Sequence, residues 1–134
     1  MAYKILNKKE LTSTVYYELL AGTFSGKYWD EDSIYLDEDS FELIKDILFK
    51  NHSDFDANGV TEFNELQTLS VLSDLNKRLD DLQKIDPDQN YTAIFPGLQQ
   101  LDSRMEIEDL LNLFSELISL LKDDFKKGFC VLGL

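Results

Sequence analysis

A chain of 134 residues with 43% hydrophobic residues can bury one core of its own and leaves little for a second, so residues 1–134 read as a single domain. A formal net charge of −13 sets carboxylates against phosphate, which argues against nucleic acid or an anionic membrane as partner and points to a basic protein or a hard cation. No run approaches the roughly 18 apolar residues of a membrane span, no apolar signal-peptide core follows Met1, and the one cysteine, Cys130, cannot form an internal disulfide, so the expected location is the cytoplasm.

In chain order, the run 3–6 is short and apolar and suits extended backbone. Leu11, Val15 and Leu19, with Tyr16 and Leu20, recur at helical spacing, whereas residues 12–17 are rich in strand formers; helix is the favoured reading. Phe41, Ile44, Ile47 and Leu48 define one face of a helix over 40–50, with Asp39 and Glu42 spaced as a capping box. Phe63, Leu66, Leu69, Leu72, Leu75, Leu79 and Leu82 predict a helix that Thr61 caps and that Asp86-Pro87 stops after Lys84. A loop follows over 86–102, with Tyr91, Ile94, Phe95 and Leu98 folded over the core.

The clearest element comes last. Ile107, Leu110, Leu111, Phe114, Leu117, Ile118, Leu121 and Phe125 lie on one stripe of a helix over 103–126, opened by the Ser103 and Glu106 capping pattern and closed by Lys122, Lys126 and Lys127 before Gly128. The run 129–132 suits extended backbone and a short pairing with the N-terminal run. The predicted architecture is therefore all-α, a small domain of four to six helices with at most a minor strand pairing near the termini, its two long helices packed together.

Charge is gathered in one place along this chain. Residues 30–65 hold twelve acids (Asp30, Glu31, Asp32, Asp37, Glu38, Asp39, Glu42, Asp46, Asp54, Asp56, Glu62, Glu65) against Lys45 and Lys50, or ten of the thirteen excess charges. The stretch 27–39 also mixes Tyr28, Trp29 and Tyr35 with six of those acids. Aromatics supply rigid contact area and carboxylates pair with Lys or Arg, so Tyr28, Trp29, Asp30, Glu31, Asp32, Tyr35, Asp37, Glu38, Asp39, Glu42 and Asp46 are the candidate partner-binding residues. The competing reading makes Trp29, Tyr35 and Leu36 anchors of a loop on the core while the acids face water.

Residues 54–65 fit the twelve-residue EF-hand calcium pattern at every constrained position. Asp54, Asp56 and Asn58 would give side-chain oxygens, Val60 its carbonyl, Glu62 a water-mediated contact and Glu65 a bidentate carboxylate, with Gly59 at the sharp turn. Against this, Thr61 stands at the eighth position where an aliphatic residue pairs two loops, and Asn51-His52-Ser53 replaces the usual apolar approach. Calcium binding is thus the alternative to protein binding, and no other cofactor is expected. The inventory for catalysis is thin: His52 is the sole histidine, no nucleophile elbow or glycine-rich phosphate loop occurs, and acid pairs such as Asp80 and Asp81 are expected on any acidic helix.

Tyr16-Tyr17-Glu18-Leu19-Leu20 running into Phe24 and Tyr28-Trp29, Ser33-Ile34-Tyr35-Leu36-Asp37 before the Phe41 helix, and Gly59-Val60-Thr61-Glu62 opening the next helix span about half the chain. In these features the chain resembles bacterial toxin immunity proteins, particularly those guarding against contact-dependent growth inhibition. The resemblance implies a non-enzymatic inhibitor that covers the active site or substrate surface of a cognate toxin, often a basic nuclease. A carboxylate-rich surface would there mimic phosphate and speed capture.

Overall fold

The structure, a computed structural model, describes residues 3–12, 15–84, 94–95 and 104–133. Strands β1 (Tyr17–Ala21) and β2 (Ile34–Leu36) precede two short helices, α1 (Glu38–Glu42) and α2 (Lys45–Asn51). Strand β3 (Val60–Phe63), the long helices α3 (Glu65–Lys84) and α4 (Arg104–Lys122), and strand β4 (Phe129–Leu132) complete the described elements. The four strands form one antiparallel sheet in the order β2-β1-β4-β3, so the C-terminal strand lies inside it, between β1 and β3.

This sheet overturns the all-α expectation: the domain is mixed α/β. The first correction lies in β1, where a helix is predicted from Leu11 to Leu20. Tyr17 and Leu19 do share a face, but as alternate residues of a strand, with Leu19 opposite Ile34 and Val131 and Val15 52% exposed. Of the strand-forming stretch 12–17 only Tyr17 lies in β1; the strand forms because pairing on both sides satisfies its backbone, which a helix of this length gains only within itself. The second correction lies in β3. Thr61, the expected helix cap, is a buried strand residue whose Oγ1 accepts from the Asp56 N–H at 3.0 Å. The cap of α3 is Asn64, whose Oδ1 accepts from the Gln67 N–H at 2.8 Å while Gln67 returns the bond to the Asn64 N–H at 2.9 Å. The terminal pairing also differs, since β4 joins β1 and β3 while Leu6 bridges to Tyr35 and covers the β2 edge.

The helix expected over 40–50 is divided. Asp37, not Asp39, caps α1, its Oδ1 accepting from the Ser40 N–H at 2.8 Å. A break at Leu43 and Ile44 then redirects the chain into α2, so that Phe41, Leu43, Ile44, Ile47 and Leu48 all reach the core. In α3 the buried stripe is Thr68, Val71, Leu75 and Leu82, whereas Leu66 and Leu69 are 77% and 52% exposed. Nine residues at about 100° each set Leu66 half a turn away from Leu75, so a leucine run that looked continuous in sequence occupies two faces. Helix α4 ends at Lys122, and residues 123–127 are turns that carry Phe125 onto the core. Apart from Ile94 and Phe95, the predicted loop over 86–102 lies outside the described residues, as do Ser103 and the Glu106 side chain.

Register divides the sheet into two unlike faces. Leu19, Ile34, Leu36, Phe63, Phe129 and Val131 point at the helices and join Leu75, Phe114, Leu117 and Leu121 in the main core. Phe63 stacks on Phe129 there with centroids 4.7 Å apart. The opposite face bears Glu18, Leu20, Tyr35, Glu62, Cys130 and Leu132. Loops cover it, through a smaller cluster of Leu6, Tyr16 and Tyr35 with Leu11 and Trp29 packed alongside. The Cys130 thiol beneath this layer is pushed up to about 11, by burial first and then by the carboxylates of Glu62 and Glu18.

Candidate partner-binding surface

On the loop-covered face β1 places Glu18 under the segment that links β1 to β2. Glu18 is 3% exposed, and its carboxylate accepts from the Trp29 N–H at 2.7 Å, the Asp30 N–H at 3.0 Å and the Ser33 hydroxyl at 2.6 Å. Trp29 adopts φ 63° to bring its N–H inward, a left-handed conformation that costs a bulky residue about 1–2 kcal/mol. Its ring stacks on Tyr35 at 5.8 Å. Tyr35 is fully buried and donates its hydroxyl to the Asp30 carbonyl at 2.6 Å, and burial, with Glu18 and Asp30 adding to it, holds that hydroxyl up at about 12.

The eleven residues read from sequence as a binding surface therefore fall into two groups. Tyr35 has no exposed surface, Trp29 is partly buried against it, and Asp30 uses its Oδ1 to accept from the Asp32 N–H at 2.8 Å. Asp37 is committed to capping α1. Asp46 holds Arg78 by two bonds of 2.8 and 2.7 Å, while the same guanidinium reaches the Leu43 carbonyl at 3.0 Å and lies 5.4 Å over Phe95. Glu31, Asp32, Glu38, Asp39 and Glu42 are exposed, and Tyr28 is 45% exposed with its ring 5.5 Å from Phe24. Among the described residues the carboxylates of Glu31, Asp32, Glu38 and Asp39 have no salt-bridge partner, and Glu42 reaches only Lys45, at 3.9 Å.

Strand β1 sets beside α1 an aromatic that sequence reasoning left out of the surface. Tyr17 stacks face to face on Phe41 at 3.8 Å, and its hydroxyl is raised by partial burial and then by Glu38 and Glu42. Glu18 was overlooked as well. Its signal is an acid at the centre of the run Val15 to Leu20, which matters only once that run is a strand.

The residues read as alternative metal ligands, Asp54, Asp56, Asn58, Val60 and Glu65, are spread over the turns before β3, β3 itself and the first turn of α3. Asp56 Oδ1 accepts from the Asn58 N–H at 2.9 Å, and the Asp54 N–H turns to His52 Nδ1 at 3.1 Å. Val60 and Glu62 then run in extended backbone, which puts Glu62 against the Phe24 N–H at 2.8 Å and Glu65 beyond the strand at the start of α3. Among the described residues no three His, Cys, Asp or Glu side chains are grouped so as to hold a metal ion. A polar cavity of about 290 Å³ between α2 and α3 is charge-balanced, with Asp46, Asp74 and Asp81 facing Lys50, Lys77 and Arg78. No described helix is long and apolar enough to cross a membrane. No family model matches the chain, and neither a curated protein nor a solved structure matches it.

Proposed function

We propose that this chain is a non-enzymatic, immunity-type inhibitor that acts in the cytoplasm by capturing a basic toxin domain, a nuclease being the class its charge fits. The observation that carries this reading is the group of exposed carboxylates left without salt-bridge partners among the described residues: Glu31, Asp32, Glu38 and Asp39. Uncompensated charge on a rigid frame attracts a cationic partner before contact and pairs with it afterwards. Tyr28, 45% exposed and three residues before Glu31, and the partly buried Tyr17, whose hydroxyl is influenced by Glu38 and Glu42, supply aromatic area for such a contact. The loose likeness of the sequence to immunity proteins points to the same role.

The test is a search for a toxin-domain gene immediately upstream of this one, followed by a pull-down and a kinetic titration with the domain found there. A stable complex is expected, with an association rate that falls steeply between about 50 and 500 mM salt as the screening length shortens. Reversal of Glu31 and Asp32 to Lys should slow association and leave helical content unchanged; Asp30 is spared because it holds the turn. A rate flat across that salt range, or no capture at all, refutes the proposal.

A further inference from the structure

Glu18 is the one charged side chain that is buried among the described residues, and it lies mid-sheet between Tyr35 of β2 and Leu132 of β4. Filling that position would call for an apolar residue, since an ionised carboxylate out of water is costly unless every lone pair is used. All three of its donors come from one five-residue stretch: the N–H groups of Trp29 and Asp30, and the Ser33 hydroxyl. That stretch is closed further by the Ser33 N–H on the Asp30 carbonyl at 3.3 Å and the Asp32 N–H on Asp30 Oδ1. Its tip is Glu31 and Asp32, both exposed.

We infer that Glu18 is a positioning residue of the binding surface: its buried carboxylate holds the 29–33 turn shut, so that Glu31 and Asp32 meet a basic protein partner in one preset arrangement. The inference rests on the inhibitor reading above. Glu18 touches no partner. It removes in advance the ordering cost that a free loop would incur on binding, and it opposes the left-handed strain at Trp29, which would otherwise favour release of the turn.

The variants are Glu18→Leu, which fills the sheet position without an acceptor, and Glu18→Gln, which keeps its shape. Two readouts are taken on the full chain: amide hydrogen exchange at Trp29 and Asp30 against Leu19 and Val131, and the affinity at low and high salt for the toxin domain captured in the pull-down above. Exchange at Trp29 and Asp30 should accelerate about tenfold or more with Leu19 and Val131 unchanged, and affinity should fall about tenfold at both salt concentrations, because preorganisation and not surface charge is lost. Wild-type protection at Trp29 and Asp30 in either variant overturns the inference. So does lost protection with undiminished affinity. If Glu18→Leu does not fold, Glu18→Gln carries both readouts. If the wild-type chain fails to bind the toxin domain, the inhibitor reading falls and the binding role of Glu18 with it, while the exchange measurement still decides whether Glu18 holds the turn.

Discussion

Asp46 separates the stabilising acids of this chain from those free to meet a partner. Its carboxylate makes a two-pronged bond with Arg78 at 2.8 and 2.7 Å, with 36% of the Asp46 side chain and 13% of the Arg78 side chain exposed. Asp46→Ala removes both bonds and leaves a mostly buried guanidinium with the Leu43 carbonyl and the face of Phe95. A fully buried pair broken on one side costs about 3–5 kcal/mol. Solvent at the Asp46 end screens the charge, which reduces the expected loss to about 2 kcal/mol. Arg78→Met removes the cation, keeps apolar contact with Phe95, and relieves the need for the carboxylate. In a double-mutant cycle measured by urea denaturation, the two substitutions should couple by about 1–2 kcal/mol. Association with a basic partner should meanwhile slow in Asp46→Ala only as far as one unit of net charge weakens the long-range field, since the Asp46 carboxylate is bonded to Arg78 and makes no pair with the partner. Coupling below about 0.3 kcal/mol, or a large fall in association rate with stability intact, refutes the assignment of Asp46 to the scaffold.

Three other outcomes test the frame. Leu75→Ala should cost about 2–5 kcal/mol in denaturant melts because Leu75 is 1% exposed, whereas Leu66→Ser, at 77% exposed, should stay within about 0.5 kcal/mol. Gly128→Ala should destabilise by about 2 kcal/mol or more, because Gly128 has φ 130° and an added Cβ would stand 2.7 Å from the Phe63 carbonyl oxygen, where β4 begins against β3. Stability should also fall between about pH 10 and pH 12. The Tyr35 hydroxyl is held up at about 12 in the fold and titrates near 10 in the unfolded chain, so within that window the unfolded chain binds fewer protons and is favoured. A Tyr35→Phe variant should lose that part of the pH dependence, as followed by thermal melts at each pH.

How much of this architecture was legible in the sequence depended on the length of each element. The nineteen residues of α4 and the twenty of α3 repeat their apolar spacing often enough to announce helices, and their mutual packing follows from it. The strands hold three to five residues each, too few to display a period, and their partners lie far away in sequence: Glu18 faces Leu132, and Val60 faces Leu132 from the other side. Such pairing is a tertiary fact that local propensity does not decide: the strand formers of residues 12–17 reach β1 only at Tyr17. The exposed leucines of α3 mislead for a related reason. Leu66, Leu69, Leu72 and Leu75 follow one another at three residues, a spacing that drifts about 60° per step around a helix, and the placement of α2 and α4 selects the face of Val71 and Leu75 as the buried one.

The acidity itself was fully visible, while its division of labour was not. Composition counts Asp37, Asp46 and Asp30 as equal to Glu31, Asp32 and Asp39, yet the first three are bonded to a helix end, a guanidinium and a turn. Glu18 and Glu62 are likewise committed, to the two ends of the segment that crosses the loop-covered face of the sheet: Glu62 takes the Phe24 N–H and Glu18 takes those of Trp29 and Asp30. The carboxylates that fix this segment thus lie on the strands, and those available to a partner lie on the turn they fix and on α1. A field set by total charge would survive the loss of either group about equally, since screening blurs the position of each charge beyond roughly 10 Å. A contact surface would not, because only the exposed group can pair with a partner's cations while the buried group governs whether that surface holds its shape.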